Sequence, residues 1–440
     1  MNDAALLKTT EINGSGWPGT VHKVPGQFIP GDTNVQDEKT YAGYFLLRFG
    51  GDVGKLPLDG NVGMRVVGTY YTASGFAKQP DWSSYGLLSV KDKALGTGQT
   101  LPNEYSGNYV DALPSLNLRL KFTPQLQARF AVSKAISRPT FDQLRANITL
   151  GGDLNHINVP CVSGLIDPKT GAQCTLGQSV EVATQVGTYT GDGGNPTLKP
   201  MRTTQMDAAL EWYFAPQGSL YTTLFYKDIN NYFLRGVATE NIFGQDWHVK
   251  STLNGDHGVI KGFEVGYSQF YDFLPGWLKG FGAQANFTYV DSHGGSPTAG
   301  ASGDSATLVP GLPLEGLSKT SYNIVAMYQR NIVEARLAYN WRKRWLLTTT
   351  DGDGKGTVWN DDYGQLDGSL FFHINSHLQV GIEANNLTNT TQKLLIGPYK
   401  YTAGVDDATD YNIGYTDNRL YQNAWYTFDR RYALSVKYTF

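Results

Sequence analysis

Residue types that carry enzyme chemistry occur in this sequence, but not in patterns that would use them. It contains no GxSxG nucleophile turn, HExxH metal helix or GxxxxGK[ST] phosphate loop. The histidines are scattered; His373 and His377 are four positions apart, but they flank an expected turn instead of sharing a helix face, so the spacing has no ligand meaning. Asp351-Gly352-Asp353-Gly354-Lys355-Gly356 starts like a calcium loop, yet its twelfth position is Asp362 where a longer Glu is needed. That run reads as a loop tip, as does Gly191-Asp192-Gly193-Gly194. The expectation is a non-enzyme that holds neither metal nor cofactor.

The sequence does offer recognition chemistry. Trp82, Trp247, Trp359 and Trp425 fall between the strongly patterned segments, as do Tyr85, Tyr399, Tyr401 and Tyr411. Such rings stack on flat ligand faces, and Asp246, Lys400 and Arg419 are placed to add hydrogen bonds. For any single one of these rings, packing of loops on each other, or a place in an interfacial girdle, is the favoured reading. Trp277, beside Pro275-Gly276, and Trp345 read as interface anchors. Cys161 and Cys174 lie in a Gly/Pro/Thr-rich segment, where their spacing suits a loop disulfide in an oxidising compartment; a pair of free thiols is the alternative.

The elements that must position these groups are strands. Tyr432, Leu434, Val436, Tyr438 and Phe440 alternate with Arg431, Ala433, Ser435, Lys437 and Thr439, so the last strand is apolar on one face and polar on the other. Leu116, Leu118, Leu120 and Phe122 likewise oppose Asn117, Arg119 and Lys121, and Val333, Ala335, Leu337, Tyr339 and Trp341 oppose Glu334, Arg336, Asn340 and Arg342. About thirteen such runs lie near 39–49, 58–71, 113–122, 125–137, 203–214, 219–229, 260–271, 280–291, 320–329, 332–344, 363–373, 377–387 and 429–440. Aliphatic and aromatic residues on one face with charges on the other fit a lipid-facing exterior and a wet lumen.

Connection lengths are an independent signal. Short links such as Thr123-Pro124 and Arg330-Asn331 alternate with long ones at 72–112, 137–202, 229–259, 291–317, 346–362 and 388–427. That rhythm predicts an all-β, transmembrane antiparallel barrel with short periplasmic turns and long extracellular loops, whereas a soluble sandwich turns at more even intervals. If the short links are periplasmic, the first strand runs downward and residues 1–38 form an extracellular loop. An odd strand number does not close antiparallel on itself, and unpaired backbone cannot face lipid. The expected protein is therefore the C-terminal part of a larger barrel.

Composition agrees. Of 440 residues, 13% are aromatic and 17% charged, which excludes a disordered chain, and the net charge of −3 without a basic stripe gives no reason to expect nucleic acid. No apolar run approaches the ~18 residues that a spanning helix needs, a test that a barrel escapes. Residues Met1 to Ala5 lack the start of a secretory signal.

Several motifs together resemble one family. Leu113-Pro114-Ser115-Leu116-Asn117-Leu118-Arg119 precedes Arg129-Phe130-Ala131-Val132-Ser133-Lys134-Ala135-Ile136-Ser137-Arg138-Pro139. Gly194-Asn195-Pro196-Thr197-Leu198-Lys199-Pro200 stands ahead of a strand ending Glu211-Trp212-Tyr213-Phe214. Phe225-Tyr226-Lys227-Asp228-Ile229, Lys261-Gly262-Phe263-Glu264, Asn386-Leu387-Thr388 and the terminal Phe440 follow in order. The set resembles the barrel of TonB-dependent outer-membrane receptors, in the large Caulobacter- and Xanthomonas-type version often linked to carbohydrate uptake. The resemblance implies about twenty-two strands behind a plug, with roughly nine strands, the plug and the energy-coupling box outside this chain. It implies a Gram-negative outer-membrane location, with lipid, the plug, the TonB complex and a small nutrient ligand as partners. An oligosaccharide is the first expectation for cargo, stacked on the loop aromatics; a siderophore of the same family and a passive porin are the alternatives. Lumen charges such as Arg119, Lys121, Arg129, Asp207, Glu211, Glu264, Glu334, Arg336 and Glu383 are expected to pair across strands or hold the plug.

Overall fold

The structure is a computed structural model describing residues 33–83, 85, 87–162, 173–294, 312–349, 356–399 and 420–440. Its elements are strands with one short helix, Val90–Leu95, and one 3-10 turn, Gly276–Gly280. In chain order the strands are β1 Val35–Val53, β2 Leu56–Lys78, β3 Thr100–Lys121, β4 Leu126–Ser137, β5 Ile148–Pro160, β6 Ser179–Gly193 and β7 Met201–Ala215. There follow β8 Gly218–Asn230, β9 Phe233–Ile242, β10 Gln245–Asn254, β11 His257–Phe270, β12 Phe281–Gly294, β13 Thr320–Arg330 and β14 Val333–Arg342. The rest are β15 Trp345–Thr348, β16 Gly356–Asn360, β17 Tyr363–His373, β18 Leu378–Asn385, β19 Thr391–Tyr399, β20 Tyr421–Thr427 and β21 Arg431–Tyr438.

Thirteen of these, β1 to β4, β7, β8, β11 to β14, β17, β18 and β21, occupy the alternating runs read from the sequence. Each pairs antiparallel with the next wall strand in chain order, through twelve successive pairings from β1–β2 to β18–β21. Short and long connections alternate without exception along this wall. Asn331, in the two-residue link from β13 to β14, takes a positive φ of 54°, which Asn tolerates because its short side chain bonds locally. Among the described residues β1 is paired along one edge only, to β2, and β21 only to β18.

The aliphatic rows do not meet across a second sheet. Leu224 is 60% exposed, Leu337 51% and Leu434 77%, although each sits mid-strand. In water such a face would be an aggregation surface; it is the expected exterior of a barrel. No helix among the described residues is long and apolar enough to cross a membrane, which says nothing of crossing by strands.

Two features depart from the sequence reading. First, β2 and β3 stay paired up to Lys78 and Thr100, well into the span expected to be loop. The upper part of β2 carries small residues on its inward side, Ala73, Gly75 and Ala77, and the next layer packs there: a Cβ on Gly75 would lie 2.8 Å from the Ala146 carbonyl carbon. Second, eight further strands stand inside the long connections. β5 and β6 pair with each other, as do β9 and β10; a short parallel contact of β5 with β2 ties the first pair to the top of the wall, and one of β10 with β6 ties the two pairs together. β15, β16, β19 and β20 form a separate four-stranded sheet. These strands pack loop against loop, so the lipid-versus-lumen rule that reveals the wall does not detect them.

Candidate functional site

The polar face of the wall, expected as the lumen, is assembled by register, because residues paired across antiparallel strands project on one side. It divides into two sectors. On β2 to β7 it is charged. Arg119 donates from Nε (3.0 Å) and from its terminal nitrogen (2.8 Å) to Asp59, and Arg129 Nε lies 2.8 Å from Glu211. Gln127 also donates to Glu211, at 2.5 Å. On β8 to β14 the face also carries Glu264 and Glu334, but one row across it is neutral. Glu211 registers with Tyr221, Tyr221 with Gly266, and Gly266 with Asn286. Asn286 registers in turn with Asn323, and Asn323 with Asn340. This row lines a cavity of about 490 Å³ that also takes in Ser268 and Gln284.

Of the nine charges expected on this face, Arg119, Arg129 and Glu211 make the ion pairs just described. Glu264 accepts from the Tyr221 hydroxyl at 2.8 Å, and Glu334 lies 3.0 Å from His373 Nε2. Arg138, at the outer end of β4, reaches Thr69 at 3.2 Å and Glu38 at 3.5 Å.

Above the wall, the connections β2–β3, β4–β7 and β8–β11 share one apolar core of Trp82, Leu88, Leu95, Ile148, Leu150, Ala183, Val186, Trp247 and Val249. Local sequence builds one side of it. Ser89 Oγ caps the short helix by accepting from the Asp92 backbone N–H at 3.0 Å, and Gly96 ends the helix where a Cβ would meet Trp82 at 2.6 Å. The cap places the Asp92 carboxylate to accept the Tyr189 hydroxyl. Burial first, and this bond second, push the Tyr189 phenol up to about 12. On β9, burial raises the Glu240 carboxyl above its ordinary range.

The structure corrects part of the aromatic expectation. Trp247 has no exposed surface and Trp82 is 4% exposed. Their rings stack at 6.3 Å, Tyr189 meets Trp247 edge-on at 5.1 Å, and the Trp247 indole N–H donates to the Ile242 carbonyl at 3.0 Å. Both tryptophans hold loops together and present no free face to a ligand. Trp345 is also buried, beneath the Arg342 guanidinium at 3.6 Å, where an interface anchor was expected. Trp277 stays exposed in its turn, edge-on to Phe281 at 5.6 Å.

Trp359 and Trp425 come to one sheet, on β16 and β20, with β19 between them. The Trp359 indole donates to Thr357 Oγ1 at 2.8 Å and to the Gly397 carbonyl at 2.9 Å, whereas Trp425 is exposed and registers with Lys393. Tyr399 ends β19; Tyr401, Tyr411 and Arg419 lie outside the described residues. Cys161 and Cys174 are joined by a disulfide with Cα atoms 5.9 Å apart, beside Val159, Val180 and Val182. On β21, Tyr432, Leu434, Val436 and Tyr438 are exposed on one face, and Phe440 meets Tyr438 edge-on at 5.1 Å. Among the described residues no three of His, Cys, Asp and Glu gather where they would hold a metal; Asp351 to Lys355 lie outside them.

Sequence reasoning passed over Tyr221, Gln284, Asn286 and Asn323 as a group. Each was visible as a polar or aromatic position within a run, but their meeting depends on pairings between strands up to about a hundred residues apart.

Comparison with known proteins follows the same line. The family model described as TonB dependent receptor-like, beta-barrel matches residues 7–387. No curated protein matches the sequence. Among solved structures, the chain is similar to the ferric yersiniabactin uptake receptor FyuA of Yersinia pestis, at 12% identity and a TM-score of 0.49, over 84% of this chain and 43% of that one. It is similar to the siderophore receptor PirA of Acinetobacter baumannii, at 14% identity and 0.49, over 92% and 55%. It is also similar to the ferric enterobactin receptor PfeA of Pseudomonas aeruginosa, at 13% identity and 0.47, over 81% and 49%. The chain thus spans about half the length of each.

Proposed function

We propose, from the premise that this chain belongs to the TonB-dependent receptor β-barrel family of the Gram-negative outer membrane, that it supplies wall and outer loops to an active-transport receptor for a nutrient, with an oligosaccharide as cargo. The observation that carries the transport reading is the thirteen-strand wall, aliphatic outside and polar inside, under ordered long loops. An odd wall does not close on itself, and β1 and β21 each have one wall neighbour among the described residues. In this reading the barrel is therefore completed by further strands and a plug outside these 440 residues, and coupling to the TonB complex belongs to that plug. Two features favour the sugar reading: the exposed Trp425 on the outer sheet and the neutral, hydrogen-bonding row from Tyr221 to Asn340 on the polar face of the wall. Neither offers the cation cluster that an anionic chelate calls for.

The test is uptake by cells that carry or lack the gene, using labelled neutral oligosaccharides and ferric siderophores, with and without a protonophore. Gene-dependent sugar uptake abolished by the protonophore is the expected result. Uptake that survives the protonophore would make the protein a passive porin. Loss of siderophore uptake alone in the deletion strain would replace the cargo.

A further inference from the structure

We infer that the outer side of the wall seats the saccharide headgroup of a membrane glycolipid, in a cavity lined by Asp37, Lys39, Tyr70, Thr72, Ser106 and Asn108. The site lies on the side turned away from the lumen, so neither a plug nor the cargo bears on it. The cavity measures about 430 Å³, within the range of about 300–1,000 Å³ usual for small-ligand sites.

Register fixes the side. Tyr70 pairs with Lys39 on β1 and with Asn108 on β3, and Thr72 pairs with Asp37 and Ser106. Two and four residues further down β2, the same side carries Gly68 and Val66, paired with Val110 and Ala112. Val66 is 45% exposed and Val110 67%, as befits the lipid face. The opposite side of β2, with Val67, Thr69 and Ala73, is buried. A strand added along the free edge of β1 would continue the sheet sideways, about 4.8 Å away, and leave this face uncovered.

Height follows from length. From Leu58 to Tyr70 the strand advances about 40 Å. At a tilt of ~45° that is about 28 Å of height, close to the apolar band of an outer-membrane barrel. Tyr70, with Tyr41 edge-on at 6.2 Å, therefore stands at the boundary where aromatic rings gather. β2 runs from the short turn after β1 toward the long connection to β3, so this boundary is the outer one. Thr72, Ser106 and Asn108 stand at the depth of the lipid headgroups.

Chemistry selects the headgroup. Among the described residues the side chains of Thr72, Ser106 and Asn108 make no hydrogen bond to the protein. Two hydroxyls and an amide both donate and accept, as sugar hydroxyls do, so the two sets match without charge. The Tyr70 ring beside them suits the apolar C–H face of a pyranose. A phosphodiester headgroup calls instead for a free cation. The one cation of the cavity, Lys39, is held by Asp37 at 3.0 Å. The acyl chains of the same lipid then run down the aliphatic rows through Val66 and Val110.

Native mass spectrometry of the full chain, released from tetraethylene glycol octyl ether micelles, tests this. The probes are monoglucosyldiacylglycerol, phosphatidylethanolamine as a lipid without sugar, and glucose as the sugar without acyl chains. The glycolipid is expected to bind at least tenfold more tightly than either of the others. Asn108→Ala, which removes no hydrogen bond of the fold, should weaken it about tenfold. Tyr70→Leu should do the same. Tyr70→Phe, which keeps the ring, and Thr204→Ala, on the lipid side of β7, should change binding less than threefold. Phosphatidylethanolamine held as tightly as the glycolipid would overturn the inference, because the face would then select acyl chains alone. Glucose held as tightly would also overturn it, by making the cavity a site for soluble sugar. Glycolipid binding that both Asn108→Ala and Tyr70→Leu leave unchanged would place the headgroup elsewhere and overturn it as well.

Discussion

Trp247→Ala is expected to release three outer loops from one another while the wall stays folded. Trp247 is wholly buried, stacks on Trp82 at 6.3 Å, receives the edge of Tyr189 at 5.1 Å and donates to the Ile242 carbonyl at 3.0 Å. Its indole removes about 200 Å² from water, which corresponds to about 5 kcal/mol at ~25 cal/mol per Å². Replacing a large aromatic by Ala in a packed core costs about 3–5 kcal/mol, a range that already contains the lost ring contacts. We take about 4 kcal/mol, or nearly three orders of magnitude in the equilibrium between closed and open loops. Native-state hydrogen exchange of the full chain in detergent, read by mass spectrometry, measures it peptide by peptide. Peptides from 148–160, 179–193 and 233–254 should lose nearly a thousandfold protection, while peptides from the wall strands 201–215 and 281–294 keep theirs. Wild-type protection in the loop peptides would refute the shared core. Equal loss in loops and wall would refute the idea that the loops form a cooperative unit of their own.

Two further outcomes follow from the same geometry. Leu434→Arg places a charge on the aliphatic face of β21 and should cost about 2–4 kcal/mol at mid-bilayer, whereas Ser435→Arg, on the opposite face, should cost near zero; equal shifts of the urea midpoint in lipid would show the two faces to be misassigned. The raised Tyr189 phenol means that the fold favours its neutral form, so this contribution is full below the ordinary value of 10.0 and is lost as pH rises through about 12. Near-UV circular dichroism should show a loop-core change between pH 10 and 12, and Tyr189→Phe should lack that component; an identical profile in the variant would count against the Asp92–Tyr189 contact.

How much of this was legible before the fold was known varies by element. The runs of β4, β7 and β14 were readable directly, because a strand with lipid on one side and water on the other must alternate residue by residue. Short and long links then ordered the wall strands, since sequential antiparallel neighbours need only a turn. The loop tryptophans were legible as residues but not as a role. Whether Trp82 and Trp247 face a ligand or each other turns on where segments about 165 residues apart come to rest. β10 illustrates the gap: Trp247, Val249, Ser251 and Leu253 alternate as a wall strand's residues do, but they bury against neighbouring loops.

Local pattern thus set the strand positions, their two faces and their order around the wall, because lipid and water act on each residue independently of distant chain. The loop core, the gathering of Trp359 and Trp425 onto one sheet, and the neutral row from Tyr221 to Asn340 emerged only on folding. Those depend on pair register and on contacts between remote segments, and a one-residue slip would turn every amide in that row to the opposite face.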